Sequence, residues 1–127
     1  MLADEYTILY SSEDKHWWYL TLRRHLFAEI RRYQKHNSQP LRLFDAGSGT
    51  GGLVSSLSHA FGKTFCLINC CEPNAYARQL SEGRNVHPLG CSITSIPEEH
   101  LSKYDIVTCI DVLYHKDISL EPALNKL

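Results

Sequence analysis

Four glycines stand in the six residues from Gly47 to Gly52, inside the stretch LRLFDAGSGTGGLV. Gly47, Gly49 and Gly52 fit G-x-G-x-x-G, while Gly47, Gly49 and Gly51 fit a tighter G-x-G-x-G. Glycines let a backbone turn sharply and approach a ligand closely. A helix start behind them offers free N–H groups and partial positive charge. No lysine follows Gly52 in the position a phosphate-binding P-loop needs. Two acids accompany the loop. Asp45 precedes it at the end of an apolar run. Glu72, in CCEPN, follows it by roughly 20 residues, the distance at which an acidic side chain reaches ribose hydroxyls.

The pattern leaves a dinucleotide or S-adenosylmethionine (SAM) as ligand. A dinucleotide would bring a pyrophosphate against Asp45, and in a low-dielectric pocket the repulsion is on the order of several kcal/mol. SAM carries an ammonium, a sulfonium and a carboxylate. Asp45 can attract the ammonium while loop N–H groups serve the carboxylate. The other role open to Asp45 is a helix cap or a brace for the loop. Glu72 suits the ribose of either ligand and does not choose between them.

The elements that must hold these residues follow from periodicity and punctuation. Ser11 and Ser12 predict the start of one long amphipathic helix over 11–37, with Trp18, Leu22, Leu26, Ile30 and Tyr33 as its apolar stripe. Arg23, Arg24, Arg31, Arg32 and Lys35 then fall mostly on solvated faces, an RNA-contacting face being the alternative. LRLFDA and TFCLINCC read as strands, GGLVSSLSHAFG and PNAYARQLSEG as helices. Pro73 starts the second of these helices and Gly83 ends it. NVHPLG is a weak third strand, SIPEEHLSK a helical turn, YDIVTCIDVLY a fourth strand, and SLEPALNKL the start of a helix. Alternating strands and helices predict an α/β fold: a Rossmann-like parallel sheet with helices on both faces and ligands at the carboxyl ends of its strands. The whole chain of 127 residues forms one domain, the helix at 11–37 preceding a βα core over 41–127.

In this order the motifs resemble class I SAM-dependent methyltransferases of the small-molecule type. FDAGSGTGGLV is similar to their first motif, CCEPNAYA to their acidic second motif, CSITSIP to the segment after their third strand, and YDIVTCIDVLYH to their fourth-strand motif. HWWY and the basic helix after it resemble the N-terminal helix of many bacterial members. The resemblance implies SAM as cofactor, with Asp45, Gly47, Ser48 and Gly49 around its methionine part and Glu72 and Pro73 at its ribose. It implies the segment after the third strand at the adenine, where Ser92 replaces the aspartate many members carry. The contact to the adenine amino group is then expected to be weaker or to come from a backbone carbonyl such as that of Ile93. Asp111 stands beside the sulfonium, and it could equally brace a loop at its strand end. His115 is the candidate general base, with His16 a second if the first helix folds over the pocket. Trp17, Trp18 and Tyr19 could line an acceptor pocket or cap the cofactor, although core packing is the expectation for Trp18.

The family has seven strands ordered 3-2-1-4-5-7-6, so this chain reads as a domain truncated after the fourth strand. That strand would be an apolar edge over Ile106 to Val112, suited to a homo-oligomer or a complementing chain. Catalytically inactive SAM binding is the alternative function, and an NAD-binding oxidoreductase fragment a more distant one. The acceptor is expected to be a small molecule. A net charge of -1 gives no field toward nucleic acid, so no such partner is expected. No apolar run approaches the roughly 20 residues of a membrane span, and MLADEYTILYSSEDK lacks the pattern of a signal peptide. A cytoplasmic location follows. The five cysteines include no C-x-x-C pair, which predicts reduced, packed thiols and no metal site.

Overall fold

A computed structural model describes residues 2–100 and 102–110. Its elements run α1 (Ala3–Ser12), α2 (Trp17–Gln34), β1 (Leu41–Ala46), α3 (Gly52–Ala60), β2 (Phe65–Cys71), α4 (Ala75–Glu82), 3-10 turns at Ile93–Ser95 and Glu98–His100, and β3 (Ile106–Thr108). The expected fourth strand is thus β3. It lies parallel to β1, as does β2, in the order β2-β1-β3. The expected third strand is reduced to one bridge, Cys71 to Leu89, on the far side of β2. That bridge keeps the order 3-2-1-4 of the sequence reading. The fold is a Rossmann-like α/β layer.

Side chains alternate along β1. Leu41, Leu43 and Asp45 face the helices, and Leu41 and Leu43 pack with Ile30 of α2, Leu57 of α3, Phe61 and Phe65. Each such side chain, when fully buried, contributes about 1.5–3 kcal/mol. Phe44 and Ala46 face the other way and pack with Cys71, Ile93 and Ile96. The register shifts between Leu41 and Arg42, so Cys66 has no register partner on β1, although its thiol reaches the Leu41 carbonyl at 3.5 Å. Farther from the loop no described residue covers the second face: Leu67 is 43% and Val107 40% exposed. Among the described residues the sheet is thus covered on one face and on the loop end of the other.

The N-terminal segment departs most from expectation. The Ser11 and Ser12 hydroxyls do not cap a following helix; they donate back to the Ile8 carbonyl at 2.9 and 2.7 Å, inside α1. The second helix starts at Trp17, capped by the His16 ring, which accepts from the Trp18 N–H at 3.2 Å. Its inner stripe is Tyr19, Leu22, Arg23, Leu26, Phe27 and Ile30, all half-buried or buried. Trp18, expected in the core, is 44% exposed and Tyr33 is 40% exposed. Successive steps of four residues advance about 40° around a helix, so the run starts off the core face at Trp18 and reaches it at Ile30, and the three-residue step to Tyr33 turns away again. Arg23, expected on a solvated face, is turned inward to Asp14 at 2.8 Å. Among the described residues no helix is long and apolar enough to cross a membrane.

Candidate functional site

The glycine loop joins β1 to α3 at the carboxyl edge of the sheet. Gly47, Gly49 and Gly51 have φ of 83°, 57° and 81°, the left-handed region that disfavours side chains. The three glycines that the backbone conformation requires are those of the tighter pattern. Gly52 serves a different need, since a Cβ there would strike the Glu13 carboxylate and the Arg23 guanidinium.

The loop is braced from within. The Cys71 carbonyl accepts from the N–H groups of Gly47 and Ser48 at 3.0 and 2.9 Å. The Gly49 N–H donates to Glu72 Oε1 at 3.0 Å, and the Gly51 N–H to the Ser48 carbonyl at 3.0 Å. These four N–H groups are committed to the protein. The expectation that the loop's N–H groups take a ligand carboxylate therefore does not extend to them. The Ser48 hydroxyl is buried beside the Cys70 thiol, which burial pushes up to about 12. Ser48 faces the protein interior with its side chain.

Asp45 is 3% exposed. Thr108 of β3 donates to its Oδ1 at 2.7 Å, across the β1–β3 pairing that sets the two residues opposite each other. Burial pushes its carboxyl up to about 6; the Thr108 bond opposes this, and the charges of Glu13 and Glu72 add to it. Glu72 is also buried, at the end of β2. Its Oε2 accepts from the Asn74 N–H at 2.8 Å, and Asn74 caps α4 through the Ala77 N–H. Each carboxylate oxygen has a second lone pair, so Glu72 can still accept from a diol. Arg78 bonds the carbonyls of Glu72 and Pro73 at 2.8 Å each. No ion pair among the described residues reaches Asp45 or Glu72.

Ser92 and Ile93 sit in the 3-10 turn below this edge. Ser92 Oγ shares hydrogen bonds with Thr94 at 2.9 Å and Ser95 at 3.1 Å, while the Ile93 side chain is buried against Phe44 and Ala46. The structure thus gathers Asp45, Gly47, Ser48, Gly49, Glu72, Pro73, Ser92 and Ile93 along one edge. Asp111, Val112 and His115 lie outside the described residues. His16 caps α2 and stacks on Trp17 at 5.8 Å; no contact ties it to the loop. Burial pushes the Cys71 thiol up to about 12 as well, and raises Cys109. Among the described residues no group of three or more His, Cys, Asp or Glu is arranged to hold a metal ion.

One side of the site had no counterpart in the sequence reading. Helix α1 lies against α4 and the loop, with Tyr6, Leu9, Tyr10 and Glu13 inward. Their spacing, i, i+3, i+4 and i+7, is a helical face and was the available signal. Glu13, 7% exposed, accepts from the Thr50 hydroxyl and pairs with Arg84. Arg84 also donates to the carbonyls of Thr50 at 2.9 Å and Tyr10 at 2.8 Å, and stacks over the Tyr10 ring at 4.1 Å. Asp14 receives Arg84 at 3.1 Å; burial opposes its ionisation, yet the two arginines hold its carboxyl below the ordinary value.

Comparison with solved structures finds the same kind of fold in a longer protein. The chain is similar to a SAM-dependent methyltransferase, a possible histamine N-methyltransferase, from Thermotoga maritima, with a TM-score of 0.54 and 18% identity. The match covers 95% of this chain and 54% of that one, so this chain spans about half the length of its structural neighbour. No family model matches the sequence, and no curated protein matches it.

Proposed function

We propose that the chain binds SAM at the carboxyl edge of β1 and β2 and belongs to a SAM-dependent methyl transfer system acting on a small-molecule acceptor. The observation that carries this reading is the pair of buried acids, Asp45 and Glu72, whose carboxylates form no ion pair with any cation among the described residues. A buried carboxylate is costly unless something positive meets it. SAM brings an ammonium and a sulfonium, whereas a dinucleotide brings further negative charge. Asp45 would hold the ammonium, Glu72 the ribose hydroxyls through its free lone pairs, and the Ile93 turn the adenine. When bound, SAM supplies a methyl group already activated for in-line displacement, so much of the rate enhancement rests on positioning. His115 is the proposed base for an acceptor hydroxyl. Among the described residues β3 pairs with β1 on one side only, which supports pairing with a further strand from a second copy or another chain, read directly by light scattering.

Calorimetry with SAM, its demethylated product S-adenosylhomocysteine, and NAD tests the cofactor. SAM and its product are expected to bind, and Asp45→Asn to weaken SAM on the order of a hundredfold, the scale of losing one partner of a buried charge pair. NAD binding without SAM binding would overturn the reading. A screen of acceptors with labelled SAM then separates a transferase from a binding module without transfer.

A further inference from the structure

We propose that α1 is a strap closed over the cofactor groove, latched by Glu13 and Arg84, whose opening sets the rate at which the cofactor enters and leaves. The proposal rests on the SAM reading of the same groove and adds its gate. Leu9 roofs the loop: its Cδ2 lies 3.7 Å from where a Cβ on Gly49 would stand. Tyr6 is buried close enough to Glu72 for that charge, after burial itself, to help push its hydroxyl up to about 12. The residues proposed to meet the methionine and ribose parts of SAM are therefore the ones α1 covers.

The attachment is polar and concentrated at one end, which suits a latch better than a packed core. Arg84 ties α4 to the loop at Thr50 and to the strap at Tyr10 and Glu13. At the other end the strap holds α4 through a single exposed bond, Thr7 to Tyr76 at 2.8 Å. Tyr6 is the one buried residue within α1 itself. Segments with few buried apolar contacts are those that open locally without global unfolding.

The test uses the whole chain, with S-adenosylhomocysteine as the probe. Glu13→Gln keeps the shape of the side chain and removes the ion pair. Arg84→Lys, which keeps the charge and loses the forked bonds, serves if the first variant folds poorly. Stopped-flow tryptophan fluorescence is expected to show association and dissociation both faster by about tenfold, with the Kd changed less than about threefold, as for a gate that no longer holds shut. In ligand-free protein, amides of residues 3–12 and 47–53 should exchange faster together. Unchanged association in a variant whose α1 amides exchange faster overturns the gate while leaving the cofactor reading intact. Failure of the parent to bind the probe overturns the cofactor reading first, and the gate falls with it.

Discussion

Glu13 and Asp14 stand on one side of the glycine loop, Asp45 and Glu72 on the other, and the two pairs are treated in opposite ways. The first pair meets Arg84 and Arg23 within hydrogen-bonding distance. The second meets hydroxyl and backbone N–H donors and, among the described residues, no guanidinium or ammonium. The consequence is visible in their acidity: arginines hold Asp14 below its ordinary value, while burial carries Asp45 up to about 6. Acids that hold a fold together are neutralised by the fold. Acids left uncompensated in the interior destabilise it, and a cationic ligand gives that arrangement a use.

The harshest way to break the comparison is to remove the cation from the compensated side. Arg84→Met leaves Glu13 buried without its partner and should cost about 3–5 kcal/mol in denaturant unfolding. If Glu13 swings into water with α1, part of that loss will appear as faster exchange in α1. A variant as stable as the parent, with α1 equally protected, would show that the Glu13–Arg84 pair holds nothing.

The same logic reverses sign at Asp45. Its folded value of about 6 lies above the 3.8 of an ordinary aspartate. The stability the protonated form contributes is complete below about pH 3.8 and is lost as pH rises through about 6. Asp45→Asn accepts from Thr108 without carrying charge, so it should stabilise the protein at pH 7 by about 2–3 kcal/mol, with little gain at pH 4. Thermal unfolding across that range measures it. Destabilisation at pH 7 would mean that the fold needs the charge.

Much of this contrast was legible in the sequence, and the missing part has a physical cause. β1, the loop, Asp45 and Glu72 follow one another along the chain, so an apolar run and glycine punctuation locate them. Glu13 meets Thr50 across 37 residues and Arg84 across 71, and no local pattern links them. The stripe from Tyr6 to Glu13 has helical spacing, but it is narrow and ends in a charged residue, so the sequence reading started its helix later, at Ser11 and Ser12. Trp18 misled for the opposite reason, because a large apolar residue in a run of four-residue steps need not stay on the buried side. Gly52 fitted the dinucleotide pattern, yet its space is taken by Glu13 and Arg23.

Ligand binding sharpens the comparison at smaller amplitude. If the charge on Asp45 holds the ammonium of SAM, affinity must fall as that carboxyl protonates. With its value near 6, lowering pH from 7 to 5 should weaken SAM by about tenfold. The slope should vanish in Asp45→Asn and persist in Thr7→Val, which alters only the exposed end of the strap. Titration calorimetry at several pH values reads this, and a pH-independent Kd in the parent would take the ammonium away from Asp45.

The smallest expected effect tests whether the two uncompensated acids feel each other. Glu72 is among the charges that raise Asp45, after burial and alongside Glu13. Glu72→Gln removes that charge and one acceptor, keeping an oxygen for either the Gly49 or the Asn74 N–H. The fold should lose about 1 kcal/mol, the scale of one hydrogen bond. The Asp45 titration, followed by carboxyl carbon NMR, should move down from about 6 without reaching its ordinary value, because burial remains its main cause. No movement would mean that the acids are screened from each other. The electrostatic case for a shared cationic ligand would then rest on Asp45 alone.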